Sequence, residues 1–466
     1  MHPTALLPEI ALLIGAVSCL IGGSFTPRRR QWRVRLVAVA ALAVAGGAAV
    51  GGLIGPARTV YTGTFAVDTA TGVARLVVVA STLMVIGLGV DEIAGTPRES
   101  ETYALLLLSS TGVCVLAGAD DLLVLAVGFL LTSIPLYGLI GLARTPAAAE
   151  AVMKTYLLGA LLGVSLLLGV TVLYGLAGTT SYAGLADALS GVAPAVVAVG
   201  AVAVLAGLVF EAGAVPGHFW VPDAAQGSTT TAAAYLTTVT KVGAVVAVYR
   251  LVAALPGGLE WSVLIGVLAV VSMTLGNLAA YGQDDARRLL GWSTVSQVGY
   301  LLAAAAVAGR SALASPALLL YLAGYAVTNL AVFAVLAALP HRRSLSDFAG
   351  LARVHPWLAG VLVVALLGLV GTPPTAVFTG KLAVASAAWD GGAAWLAVAL
   401  VVNSVASLYY YLRFLAPVFR PGAGDRTGVA VLPWAAGAAV VAGAASVLLG
   451  LGAGAVLALA GGAVVR

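Results

Sequence analysis

The feature that most constrains this chain is the recurrence, from end to end, of continuously apolar stretches of about twenty residues. At a rise of about 1.5 Å per residue, each is long enough to cross a hydrocarbon layer roughly 30 Å thick as an α-helix. Strands of a membrane barrel would alternate lipid-facing and lumen-facing residues, whereas these runs are apolar on every side and rich in Ala, Leu and Val. Hydrophobic residues make up 61% of the 466 and charged residues 9%, too little polar surface to coat a soluble globule. The expected fold class is an all-α integral membrane protein.

An apolar window gives fourteen candidate spans, from 4–22 to 430–462. The first, with Pro8 and Glu9 near its start and no small-residue cleavage site, reads as a retained helix and not a signal peptide. Fourteen spans put both termini on one side. Of the twenty arginines, fifteen fall on the odd-numbered loops, among them Arg28, Arg144, Arg287, Arg288, Arg342, Arg413 and Arg426. The even side and C-terminus keep Arg58, Arg75, Arg250, Arg310 and Arg466. The positive-inside rule then predicts both termini on the outer face. The net charge of +5 follows from this asymmetry, so a nucleic-acid partner is not implied. Cys19 and Cys114 lie far apart in separate apolar runs, without the spacing of a metal or dithiol site. No nucleotide-binding glycine motif is present, so no cofactor is expected in this chain.

Only three lysines occur, Lys154, Lys241 and Lys381, and all three lie within or against apolar spans. An ammonium near the bilayer centre costs roughly 2.5–3.5 kcal/mol on insertion scales, so such residues are candidate members of an ion or proton pathway. Burial disfavours the charged form and a nearby carboxylate favours it, which makes protonation sensitive to small rearrangements. Lys154 is only a few residues into its span, where a snorkelling anchor is the competing reading.

Two passages suggest an internal repeat. "MKTYLLGALLGVSLLLGVTVLYG" from Met153 aligns with "LLLYLAGYAVTNLAVFAVLAAL" from Leu318, Tyr156 facing Tyr321. "AGADDLLVLAVG" precedes the first as "YGQDDARRLLGW" precedes the second. Each half also holds a span interrupted by proline, which removes a backbone donor and frees carbonyls within the membrane. Pro216 and Pro222 follow Glu211, and Pro373 and Pro374 precede Lys381. A packing kink is the plainer explanation of either break.

These residues resemble the antiporter-like membrane subunits of respiratory complex I, and within them the subunit N family of NADH-quinone oxidoreductase. The resemblance covers nearly the whole chain. It rests on "PEIALLIGA" from Pro8, "ETYALLLLSSTGVCVLAGADDLLVL" from Glu101, "TSIPLYGLIGLAR" from Thr132, "EAVMKTYLLGA" from Glu150, "VPGHFWVPDAAQGSTTTAAAYLTTVTKVGAV" from Val215, "RRLLGWSTVSQVGYLL" from Arg287 and "GTPPTAVFTGKL" from Gly371, in that order. It implies about fourteen transmembrane helices containing two inverted five-helix repeats with broken helices. Residues 1–101 would form three leading helices, 102–254 and 260–416 the two bundles, and 417–466 the trailing helix. It further implies proton translocation through a buried Lys/Glu axis carrying Lys154, Lys241 and Lys381, coupled to quinone reduction elsewhere. NADH, FMN, iron–sulfur clusters and quinone would belong to partner subunits, and homologous antiporter-like subunits would be neighbours in a bacterial cell membrane.

Two departures stand out. Where the family usually carries a glutamate in the fifth span this chain has Leu130, and where it usually carries a lysine in the seventh it has Glu211. Either Glu211 supplies the carboxylate from another helix, pairing with Lys154 or Lys241, or proton transfer through the first bundle is lost. Alternative functions are a subunit of a multi-subunit cation/proton antiporter, a type to which the family is related, and a structural membrane subunit that has lost proton transfer, which the two departures keep open. Among lesser candidates, His218 could hand on protons or cap a helix end. Asp120 and Asp121 read as solvated interface acids, Arg287 and Arg288 as interfacial anchors, and Tyr409, Tyr410 and Tyr411 as an aromatic belt or bundle seam.

Overall fold

The structure is a computed structural model describing residues 3–256, 260–421 and 431–462. Three helices lead, α1 (Leu7–Phe25), α2 (Trp32–Ile54) and α3 (Thr69–Ile93), the last two separated by a small hairpin of β1 (Arg58–Val60) and β2 (Phe65–Val67). They are followed by α4 (Glu99–Gly118), α5 (Leu122–Gly141), the long α6 (Pro146–Ala177) and the short α7 (Tyr182–Leu189). Next come α8 (Pro194–Ala212), α9 (Trp220–Gly227), α10 (Thr230–Ala254), α11 (Trp261–Ala280), α12 (Ala286–Ala306) and α13 (Ala314–Ala338). The chain continues through α14 (Leu351–Val354), α15 (Pro356–Val370), α16 (Ala376–Asp390), α17 (Ala394–Phe419), α18 (Pro433–Leu451) and α19 (Ala453–Ala460). Among the described residues thirteen helices are long and apolar enough to cross a membrane, and α15 with α16 supplies a fourteenth crossing in two pieces. Arg426 and Arg466 lie outside the described residues.

Exposure separates the helices that touch lipid from those that do not. α10, α12 and α13 are buried along almost their whole length, whereas α1, α2 and α6 leave broad apolar faces uncovered. In lipid there is no hydrophobic drive between apolar helices, so close approach depends on small residues. α4 and α5 meet through Gly112 and Gly128, where an added Cβ would strike the backbone of Thr132 and Leu116. α11 and α12 meet the same way, through Gly276 against Ser296 and Gly299 against Ala269.

The two Asp-Asp passages do the same work in both halves. Asp121 Oδ1 accepts from the amides of Leu123 and Val124 at 2.7 and 3.2 Å and starts α5; Asp285 Oδ1 accepts from those of Arg287 and Arg288 at 3.0 and 2.9 Å and starts α12. Each passage also forms a one-residue antiparallel bridge to a later connection, Asp121 to Ser181 and Asp285 to Ser344. Asp120 and Asp121 are buried, not solvated: they are tied into a backbone bridge that needs their amides and carbonyls. The matched tyrosines diverge, since Tyr156 is exposed on α6 and Tyr321 is fully buried on α13.

Both proline-marked spans break. α8 stops at Gly213 and α15 at Gly371, glycines with φ of +79° and +96° that only a residue without Cβ adopts freely. After each stop the chain runs irregularly through Pro216 or Pro373–Pro374 before α9 or α16 resumes.

Candidate functional site

A helix end leaves its last carbonyls without intrahelical donors and carries partial negative charge. At the end of α8, the amide of Gly213 takes the carbonyls of Val209 and Phe210, and the Trp220 indole also bonds that of Phe210. The carbonyl of Glu211 is taken by Lys241, whose Nζ lies 3.1 Å away and 4.4 Å from the Trp220 ring centre. At the end of α15, the amides of Gly371 and Thr372 take the carbonyls of Leu367 and Gly368. Lys381 takes the next two, donating to Leu369 at 3.2 Å and Val370 at 2.9 Å, with the Tyr300 ring 4.0 Å away. Both lysines are buried. A single device, an ammonium seated on the negative end of an interrupted helix and against an aromatic face, thus recurs in the two halves. The lysine comes from α10 in one half and from the resumed helix α16 in the other.

Glu211 is buried beside Lys241. Its Oε2 accepts from Ser133 of α5 at 2.6 Å, while Oε1 has no hydrogen-bond partner among the described residues. The ammonium bonds the backbone oxygen of Glu211 and not its carboxylate, so the two opposite charges are neighbours without a direct ion pair.

Polar side chains of α10, α13 and α12 stand in a line between the two lysines, hydrogen-bonded in two groups. Thr237 lies one turn from Lys241 on the same face of α10. Asn329 of α13 donates to Thr237 Oγ1 at 3.1 Å and Thr238 Oγ1 at 2.8 Å, and Tyr325 donates to the Thr237 carbonyl at 2.6 Å and Thr294 Oγ1 at 3.0 Å. One turn along α12 from Thr294, Gln297 donates to the Leu369 carbonyl at 2.9 Å, the same oxygen that holds Lys381, and to Tyr411 at 3.2 Å. Tyr321 donates to Gln297 Oε1.

Lys154 does not join this line. It is half-exposed on α6, paired with Glu150 at 2.6 Å and with Asp223 of α9 at 2.8 Å. Asp223 also binds Arg288 at 2.5 Å, and Arg287 donates to the Ser228 carbonyl at 2.8 Å. The two arginines expected at the interface therefore hold the α9–α10 turn. His218 is buried between the two pieces of the first broken span, 4.1 Å from the Phe219 ring and 5.5 Å from Trp292, and its nitrogens make no hydrogen bond of ordinary geometry. Leu130 is 40% exposed, on the outward side of α5. Of the three consecutive tyrosines, Tyr410 and Tyr411 are buried and Tyr409 is exposed, as a helical stripe requires.

Arg75 and Arg250, counted from the sequence with the loops, are buried in helices. Arg75 pairs with Glu9 at 2.7 Å and Arg250 with Asp68 at 2.6 Å. The signal was present: an acid such as Glu9 at the head of an apolar span needs a partner, and an arginine inside another span is the one available.

Residues 119–407 match the family described as NADH:quinone oxidoreductase/Mrp antiporter, TM. The chain is 59% identical over 456 residues to NADH-quinone oxidoreductase subunit N of Mycobacterium sp. (strain JLS), covering 97% of each chain. It is 51% identical over 460 residues to NADH-quinone oxidoreductase subunit N 1 of Streptomyces griseus, covering 98% of this chain and 97% of that one. The chain belongs to the NADH-quinone oxidoreductase subunit N family. Its fold superposes on a chain of respiratory complex I from Thermus thermophilus with a TM-score of 0.84 at 31% identity, covering 98% and 100% of the two chains. A chain of the Mrp complex from Dietzia sp. shares the fold, with a TM-score of 0.86 at 24% identity over 99% and 97%. The resemblance drawn from the ordered motifs is thus borne out. For this member of the subunit N family, the described site is a buried polar line between two interrupted helices.

Proposed function

We propose that this subunit carries protons across the membrane through Glu211, Lys241 and Lys381, driven by quinone reduction in other subunits of a bacterial NADH-quinone oxidoreductase. The observation that carries the reading is the repeated seat of a buried ammonium on the end of a broken helix, with two hydrogen-bonded polar groups standing in sequence between the two seats.

A buried lysine is costly as a cation and gains from the helix end and the aromatic face, so its proton is held by a balance that small movements upset. In the first half the Glu211 carboxylate adds a second control. With Lys241 bonded to the backbone of Glu211, rotation of that carboxylate towards Nζ favours the charged lysine, and rotation back to Ser133 favours proton release. Thr237, Asn329, Tyr325, Thr294 and Gln297 would pass the change on to Lys381. Residues 102–254 and 260–416 are then two related bundles with one proton site each. Lys154, with Asp223 and Arg288, is a charged cluster at the rim, and His218 a reserve carrier at the first break.

Both termini face outward in this reading, with the arginine-rich loops on the cytoplasmic side. Redox chemistry belongs to partner subunits that carry NADH, FMN, iron–sulfur clusters and quinone; the neighbours in the membrane include homologous antiporter-like subunits. The test is proton pumping in inverted vesicles holding the assembled complex. Lys241→Ala, Lys381→Ala and Glu211→Gln should each lower pumping while assembly persists. Unchanged pumping in all three would mean that the buried charges are structural.

A further inference from the structure

Lys154 stands off the line between the two buried lysines, yet the contacts that hold it lead back to Lys241 through one short helix. α9 has eight residues and a length of about 12 Å, so its two ends move together. At its start stands Trp220, fully buried, whose indole donates to the Phe210 carbonyl of α8 at 3.0 Å and whose ring centre lies 4.4 Å from Lys241 Nζ. One turn along α9 stands Asp223, whose Oδ2 meets Lys154 of α6 at 2.8 Å and whose Oδ1 meets Arg288 of α12 at 2.5 Å. Glycines let the neighbours close on α9 from three sides. An added Cβ at Gly213 would meet Val221 at 2.6 Å and Lys241 Nζ at 3.1 Å; one at Gly291 of α12 would strike the backbone of Pro222, and one at Gly227 the Ala147 carbonyl of α6. Rim charges, helix, ring and ammonium are thus joined by direct contacts throughout.

Resting on the proton-transfer reading above, we infer that Trp220 is a positioning residue for the proton of Lys241, and that the Lys154–Asp223–Arg288 cluster acts on that proton by fixing α9 and with it the Trp220 ring. A ring face attracts an ammonium and gives nothing comparable to the neutral amine, so displacing Trp220 favours proton release. Glu211 of α8 is the charged side chain beside Lys241 among the described residues. The other charges on the helices around α10 are held by their own partners nearer the two ends of the bundle: Arg75 by Glu9, Arg250 by Asp68, and Glu92 by the amides of Thr230 and Thr231. His218, just before α9, lies against Phe219 and Trp292. The rim cluster therefore reaches Lys241 by contact through α9, which gives Lys154 a part in proton transfer without a place on the line.

The experiment measures pumping against pH in inverted vesicles holding matched amounts of the assembled complex. Trp220→Leu should move the alkaline limb of the profile to lower pH by about one unit, and Trp220→Phe, which keeps a ring face, by less. Asp223→Asn and Lys154→Gln should move it in the same direction, and neither should add to the shift already present in Trp220→Leu. The sign in Lys154→Gln is decisive, because a lost cation acting through space would favour the charged form of Lys241 and move the limb to higher pH. A shift to higher pH in Lys154→Gln therefore overturns the inference, as does an Asp223→Asn shift that persists beside Trp220→Leu. So does an unmoved limb in Trp220→Leu, which is the result of a merely structural tryptophan even where pumping falls evenly at every pH. Should Trp220→Leu fail to assemble, Trp220→Phe and the sign in Lys154→Gln decide. Lys241→Ala in the same vesicles separates the inference from the reading beneath it: pumping abolished there with an unmoved limb in Trp220→Leu leaves the proton axis standing and the role of Trp220 refuted, whereas native pumping refutes the axis itself.

Discussion

Asp68 and Arg250 give the sharpest quantitative test of the fold. Their side chains are 0% and 3% exposed and meet at 2.6 Å. Arg250 also donates to the Ala117 carbonyl and to Thr71 Oγ1, both at 2.9 Å, and so ties the end of α10 to α3 and α4. Asp68 Oδ1 accepts from the Thr71 amide at 2.9 Å and caps α3. Asp68→Asn keeps an oxygen for the cap but removes the charge, leaving a buried guanidinium without its counterion. Removing one partner of a buried pair costs about 3–5 kcal/mol, and that loss should appear as a lowered unfolding free energy of the purified chain titrated with SDS in mixed micelles. Arg250→Met alone should cost a similar amount because it strands the acid. The double variant removes both charges of the pair, so it should lose at least about 2 kcal/mol less than the sum of the two. A loss below about 1 kcal/mol in Asp68→Asn, or additive losses in the double variant, would refute the picture of a dry, mutually dependent pair.

Gln297→Leu removes the donor that shares the Leu369 carbonyl with Lys381. A neutral buried hydrogen bond is worth about 0.5–1.5 kcal/mol, so pumping should fall by about two- to tenfold with assembly intact, measured in vesicles. Gly128→Ala drives a methyl into the Leu116 backbone and should destabilise by about 1–3 kcal/mol. Gly175→Ala, with open space around it, should leave the same SDS titration unchanged or slightly improved. Burial holds the Asp120 carboxyl above the usual carboxylate range, against the opposing pull of Arg250 and with help from Asp68 and Asp121. A raised folded value favours the native state at pH below the unfolded value of 3.8, and that benefit is lost as pH rises through the folded value. Asp120→Asn should therefore raise thermal stability at neutral pH and give no gain in acid.

The membrane class, the crossings and both breaks were legible in the sequence because each depends on local chemistry: apolar length and proline. Lys241 and Lys381 were legible for a related reason, since an ammonium in an apolar helix has no cheap alternative. What could not be read was which side of a helix faces which neighbour. Arg75 and Arg250 looked like loop residues until α3 and α10 were seen to turn them towards Glu9 and Asp68. Lys154 read either as a member of the axis or as a snorkelling anchor, and only the packing of α6 shows it half-exposed and paired with Glu150 and Asp223. Thr237, Asn329, Tyr325 and Gln297 are ordinary polar residues singly, and become a line only when α10, α12 and α13 are packed together.

That geometry also bears on the exchanged residues Leu130 and Glu211. Leu130 and Ser133 stand one turn apart on α5, and Leu130 is turned outwards. The Glu211 carboxylate crosses from α8 to accept from Ser133, one turn along α5 from Leu130. Leu130 faces outwards and carries an apolar side chain, as a lipid-facing or partner-facing surface allows. Glu211 stands in the last turn of α8 before the break, where its own backbone carbonyl holds Lys241. Backbone and side chain of one residue therefore offer the same ammonium two alternative partners, an arrangement that a lysine at position 211 would forbid by placing two cations at one helix end.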